Sequence, residues 1–134
     1  MTLFKTPEVS LTYHQAPGYL QLSYNATHLS AGFQWAYQRA LEEMLRQNVD
    51  KLLLDLHRNA SPTNDEARLL EPLARTFAHP RARPVLVAAV LSERQYHYQI
   101  GNYQVGTVDH AKPTQVEFNY FTSRRDATAW LADN

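Results

Sequence analysis

The polar residues able to do chemistry gather behind one apolar run, in the stretch KLLLDLHRNASPTNDE at 51–66. Asp55 and His57 stand two apart in an extended pattern, so their side chains share a face. A carboxylate beside an imidazole is the minimum for orienting a general base or for starting a metal site. No third ligand has a local source, since neither an H-x-x-x-H nor an H-E-x-x-H spacing occurs. Ser61 and Thr63 follow where a helix should start. A hydroxyl there either caps the first turn or offers a modification site, because unpaired backbone donors and a partial positive charge favour a phosphate. A solvated strand end and plain capping are the ordinary roles for these four residues.

A second cluster, Tyr96, His97, Tyr98 and Tyr103, follows the apolar run Val85 to Leu91. It would line a small-ligand pocket together with Asp55 and His57, or simply roof the sheet edge. Trp35 and Arg39 suit an interface, Trp being enriched at binding hot spots; packing of Trp35 against Met1 to Phe4 is the alternative. His14, His28, His79 and His110 are scattered along the chain. The serines lack a G-x-S-x-G elbow, and the 4 glycines never cluster into a phosphate-cradling loop. The absence of cysteine excludes disulfides, thiolate nucleophiles and cysteine-bound metals. The expectation is a domain without cofactor, metal or catalytic residues.

Thirteen basic residues balance 13 acidic ones in 134, so no general field draws the chain to nucleic acid, which is not expected as a partner. Hydrophobic residues at 44% against charged ones at 19% suit one globular domain. The opening MTLFKTPEVS lacks signal-peptide regions, and no apolar stretch approaches the ~20 residues of a membrane span. A cytoplasmic setting is expected.

Met1 to Pro7 reads as an arm and 8–134 as a single domain. Val9, Leu11 and Tyr13 alternate with polar residues, as do Leu20, Leu22 and Tyr24 after the turn Ala16-Pro17-Gly18, giving an antiparallel hairpin. Ser30 caps a long helix over Ala31 to Asn48, whose apolar stripe is Phe33, Ala36, Tyr37, Ala40, Leu41, Met44 and Leu45. Trp35 lies opposite that stripe. Leu52, Leu53, Leu54 and Leu56 are apolar on both faces, as are Val85 to Leu91, which marks two central parallel strands. Between them a helix carries Leu69, Leu70, Leu73, Ala74 and Phe77, with Pro72 expected to kink or divide it. Ser92 and Gln95 have capping-box spacing, favouring a short helix over a hairpin about Gly101-Asn102. Val116, Phe118 and Tyr120 alternate as a last strand, and Ser123 with Asp126 caps a terminal helix. The predicted fold is α/β, a mixed sheet with an N-terminal antiparallel hairpin and parallel central strands, in the order β-β-α-β-α-β-(α)-β-α.

This order resembles the STAS fold of anti-sigma-factor antagonists and sulfate transporter tails, and more narrowly the single-domain STAS-like proteins of Bacteroidetes. The likeness is carried by the helix Phe33 to Leu45, by LLLDLHR at Leu52 to Arg58, by VLVAAVLS at Val85 to Ser92, and by Phe121, Ala127, Trp130 and Leu131 at the end. It implies a non-enzymatic regulatory domain that binds a protein partner, or itself, through its outer helices. In the antagonists a phosphorylatable serine follows the central strand in an Asp-Ser-Ser-Gly-like setting. The corresponding loop here is HRNASPTNDEA, without the glycine, and Ser61 or Thr63 falls nearest that place. A small-molecule or enzymatic pocket at the C-terminal ends of the central strands, over Asp55, His57 and Tyr96, is the competing expectation.

Overall fold

The computed structural model describes residues 1–16, 18–25, 31–56, 66–78, 83–97 and 116–134. Six strands form one mixed sheet whose spatial order equals their chain order: β1 (Thr2–Lys5), β2 (Val9–His14), β3 (Tyr19–Tyr24), β4 (Lys51–Leu56), β5 (Val85–Leu91) and β6 (Val116–Phe121). β1, β2 and β3 pair antiparallel, and β3 through β6 pair parallel. The chain is therefore an α/β domain, as its hydrophobic pattern predicts.

The expected arm is instead the edge strand β1, with a register shift between Thr2 and Phe4. Four residues with consecutive Leu3 and Phe4 are too few to display a period of two, so the strand has no signature in the sequence. In the hairpin Gly18 takes a φ of 100°, a left-handed conformation that other residues adopt at a cost. β4 and β5 are buried along almost their whole length, as continuous apolar runs require.

Helix α1 (Ala31–Gln47) buries Phe33, Ala36, Tyr37, Ala40, Leu41 and Met44. Leu45, expected in that stripe, is 49% exposed; at 100° per residue it falls at the margin of the apolar arc. The helix stops on Asn48, whose φ is 57°. Val49 N donates to Met44 O at 2.9 Å and Asn48 N to Leu45 O at 3.3 Å, the paired bonds of a Schellman cap. Helix α2 (Glu66–Thr76) runs through Pro72 as one element, so the proline does not divide it. Proline removes the donor owed to the carbonyl four residues earlier. That carbonyl is Arg68 O; the Tyr37 hydroxyl donates to the next one, Leu69 O, at 2.6 Å and ties α1 to α2.

A short helix, α3, covers 93–97. Ser92 caps it, its Oγ accepting from Gln95 N at 3.1 Å, so this part of the chain is helix and not hairpin. Helix α4 (Arg124–Asp133) is capped by Ser123, which accepts from Asp126 N at 3.3 Å.

Side chains from α1, α2 and α3 pack with Leu11, Leu20, Leu22, Leu54, Val87 and their neighbours in one core on one face of the sheet. Strands added in a single direction by crossovers of one hand place every connecting helix on the same side. Among the described residues the opposite face receives only α4, whose Ala127 and Leu131 meet Leu53, Leu86, Ala88 and Val90, while Phe121 and Trp130 pack at 5.8 Å beside them. Along β2 and β3 this face carries Ser10, Thr12, His14, Gln21 and Ser23, all half-buried.

Candidate functional site

Alternation along β4 puts Leu52, Leu54 and Leu56 under α1 and α2, and Leu53 and Asp55 on the α4 face. Asp55 is only 3% exposed, and a carboxylate so buried requires a cation. Arg124, the first residue of α4, provides it: Nη2 donates to Asp55 Oδ2 at 2.9 Å. A cation at a helix N-terminus works against the helix dipole, so the ion pair, not the helix, accounts for this arginine. Its side chain is 58% exposed. Asp55, Val90, Thr122 and Arg124 line an open depression of about 410 Å³. It lies at the C-terminal ends of β4, β5 and β6, where open α/β sheets carry their sites.

The polar face of β2 and β3 continues from this pair. Ser23 stands beside Asp55 in register. Gln21 Nε2 donates to Ser23 Oγ at 3.0 Å, and Gln21 Oε1 is 2.9 Å from His14 Nε2. With the amide nitrogen committed to Ser23, the amide oxygen is the acceptor and His14 Nε2 carries the proton. His14 also stacks on Tyr19 at 4.6 Å. A hydrogen-bonded row thus leads from His14 to the strand end that bears Asp55. It can orient a polar ligand, but it sets no nucleophile against a base.

Of the residues expected at a site here, Asp55 borders the depression. Tyr96 is not beside it: its ring packs against the core under α1 and α2, across the sheet from the Asp55–Arg124 pair. A single pocket over Asp55 and Tyr96 is therefore not formed. His97 lies 4.0 Å from Glu93 on the exposed side of α3. His57, Ser61, Thr63, Tyr98 and Tyr103 lie outside the described residues. Among the described residues no group of three His, Asp or Glu could hold a metal ion, and no helix is long and apolar enough to cross a membrane.

Arg124 and the His14–Gln21–Ser23 row were not singled out from the sequence. A signal for the first existed: a lone aspartate inside LLLDL needs a basic partner, and Arg124-Arg125 opens a helix where acidic residues are preferred.

On the outside of α1, Trp35 is 58% exposed. Its indole packs on Phe4 of β1 at 5.5 Å, and the Arg39 guanidinium lies 5.8 Å from the Phe4 ring centre and 6.0 Å from that of Trp35. Trp35 thus faces outward, as its helical phase predicts, and also touches the N-terminal segment. Contact with Phe4 and Arg39 limits its rotamers, as suits a preorganised anchor.

Fold and site together define an α/β domain with one covered and one half-open sheet face, an ion pair at the strand ends and an aromatic–arginine cluster outside. No protein-family model matches the chain, and neither a curated protein nor a solved structure is found to match it.

Proposed function

We propose that the chain is a non-enzymatic, STAS-like regulatory domain that works by binding a protein, another or itself, through the outer face of α1. The carrying observation is Trp35, left 58% exposed on a helix whose Phe33 and Tyr37 are fully buried, and braced by Phe4 and Arg39. Exposed, immobilised tryptophan beside arginine is the composition of an interface centre. The STAS-like part of the proposal is supported by the element order, antiparallel strands followed by a parallel run with helices between. In such a domain Ser61 or Thr63, after β4, is where a modification would act.

Affinity capture from cells of the source organism tests this. The wild-type chain should retain at least one protein, which can be the chain itself, and Trp35→Ala should lose it while its urea unfolding midpoint stays unchanged. Undiminished retention by Trp35→Ala would sink the proposal.

A second reading, binding of a small ligand at the strand ends, is favoured by the buried Asp55–Arg124 pair bordering an open depression. Under it, a compound that raises the melting temperature of the wild type would leave Thr122→Trp unaffected, since the indole fills the depression.

A further inference from the structure

Trp35 and Leu45 are two of the three exposed large apolar residues described, and both lie on α1, ten positions apart. A rise of 1.5 Å per residue separates them by ~15 Å along the axis. At 100° per residue, Trp35, Gln38, Arg39, Glu42, Leu45 and Arg46 fall within one arc of about 120°. Charge on this arc is left over. Arg39 meets no carboxylate among the described residues, and the contact of Glu42 is the Gln38 amide at 3.5 Å. Beside Leu45 the seam between α1 and α2 opens into a depression of about 560 Å³, lined by Gln38, Glu42, Leu45, Arg75 and Thr76.

We infer that the occupant of this arc is α1 of a second copy of the chain, lying antiparallel across a two-fold axis at the level of Ala40. The inference rests on the reading of α1 as the docking face and names what docks there. A two-fold interface requires each patch to be its own complement, and the sequence of the arc has that property. Trp35 and Leu45 stand five residues on either side of Ala40, and Gln38 and Glu42 stand two. Reversal brings the indole of each copy to the hollow beside Leu45 of the other. There Glu42 can accept from the indole N–H and Arg75 can lie against the ring. The same reversal sets Arg39 of each copy near Glu42 of the other, so a cation and an anion that meet no opposite charge among the described residues find each other twice. A non-covalent contact made through one helix of each copy is reversible, so the dimer is concentration-dependent.

Sedimentation velocity of the full chain over rising concentration tests this with Arg39→Glu, Glu42→Arg and an equal mixture of the two. All changed positions are exposed, and circular dichroism verifies folding of each variant. The wild type should dimerise. Each single variant, now facing like charge twice, should lose about tenfold or more in dimer affinity. The mixture should recover dimer as the heterodimer, because only that pairing restores both opposite-charge contacts. A wild type that stays monomeric throughout, or a mixture no better than its components, overturns the inference. A photo-crosslinking residue in place of Gln38, in cells of the source organism, separates this from the broader proposal. A product of twice the chain mass supports the second copy. A product with a different protein alone overturns it and leaves α1 as a docking face, and no product with any protein overturns both.

Discussion

The two faces of the sheet differ most clearly within a single strand. In β3, Leu20, Leu22 and Tyr24 are buried on the face under α1, while Tyr19, Gln21 and Ser23 are half-buried on the other. The backbone is the same; what differs is cover. Because the crossover helices fall on one side, the second face depends on α4, which reaches β4, β5 and β6. Side-chain chemistry follows that boundary, apolar where α4 lies and polar across β2 and β3. Asp55 and Arg124 sit where α4 begins, so the ion pair marks the edge of the apolar cover as much as it marks a ligand site.

The largest effect that would test this contrast comes from Leu54, under α1 and α2. Leu54→Ala should cost about 2–5 kcal/mol by urea unfolding, whereas Ser23→Ala, on the neighbouring strand but the open face, should cost no more than about 1.5 kcal/mol, the worth of its one hydrogen bond from Gln21. Similar losses at the two positions would mean that the faces are not energetically distinct. At the boundary, Arg124→Ala leaves the Asp55 carboxylate buried without this cation. Full burial of both partners would make that loss about 3–5 kcal/mol; with Arg124 half exposed, about 1–3 kcal/mol is expected. Asp55→Asn should cost less, because it removes the buried charge and leaves behind Arg124, which water can solvate. A cost for Arg124→Ala no greater than for Arg125→Ala would show the pair to be incidental.

The smallest effect concerns the tie between α1 and α2. Tyr37→Phe removes its bond to Leu69 O and should cost about 0.5–1.5 kcal/mol at neutral pH. Burial, with Tyr120 adding to it, holds the Tyr37 phenol well above its ordinary 10.0. The unfolded chain then gives up this proton first. The contribution is fully present below pH 10 and is lost as pH rises toward the folded value, at up to ~1.4 kcal/mol per pH unit. Stability of Tyr37→Phe, followed by urea unfolding into the alkaline range, should fall less steeply than that of the wild type. Equal slopes would place the alkaline sensitivity elsewhere.

What the sequence made legible was whatever repeats. The long stripe of α1, the apolar runs of β4 and β5, and the capping serines Ser92 and Ser123 all announce their elements, because period and hydrogen-bonding chemistry are local. β1 is too short for a period to show. Leu45 belongs by type to the apolar stripe and is turned out by phase alone. At the site, Asp55 was visible as the odd residue in an apolar strand, but Arg124 is 69 positions away in the chain, and only the packing of α4 brings it near. Tyr96 was misplaced for a related reason: a strand end says nothing about which face the following helix will cover.

Spatial order equal to chain order has a consequence for synthesis. No strand must be inserted between two already placed, so the sheet can lengthen by one edge as the chain leaves the ribosome, each addition using a neighbour just made. The exception is α4, which follows all six described strands and closes over Leu53, Leu86, Ala88 and Val90. Until α4 docks, these side chains lack its cover, so the apolar surface of this face is greatest between completion of β6 and docking of α4. Pulse proteolysis of chains stalled before and after α4 would show this as a late rise in protection, and protection complete before α4 emerges would contradict it.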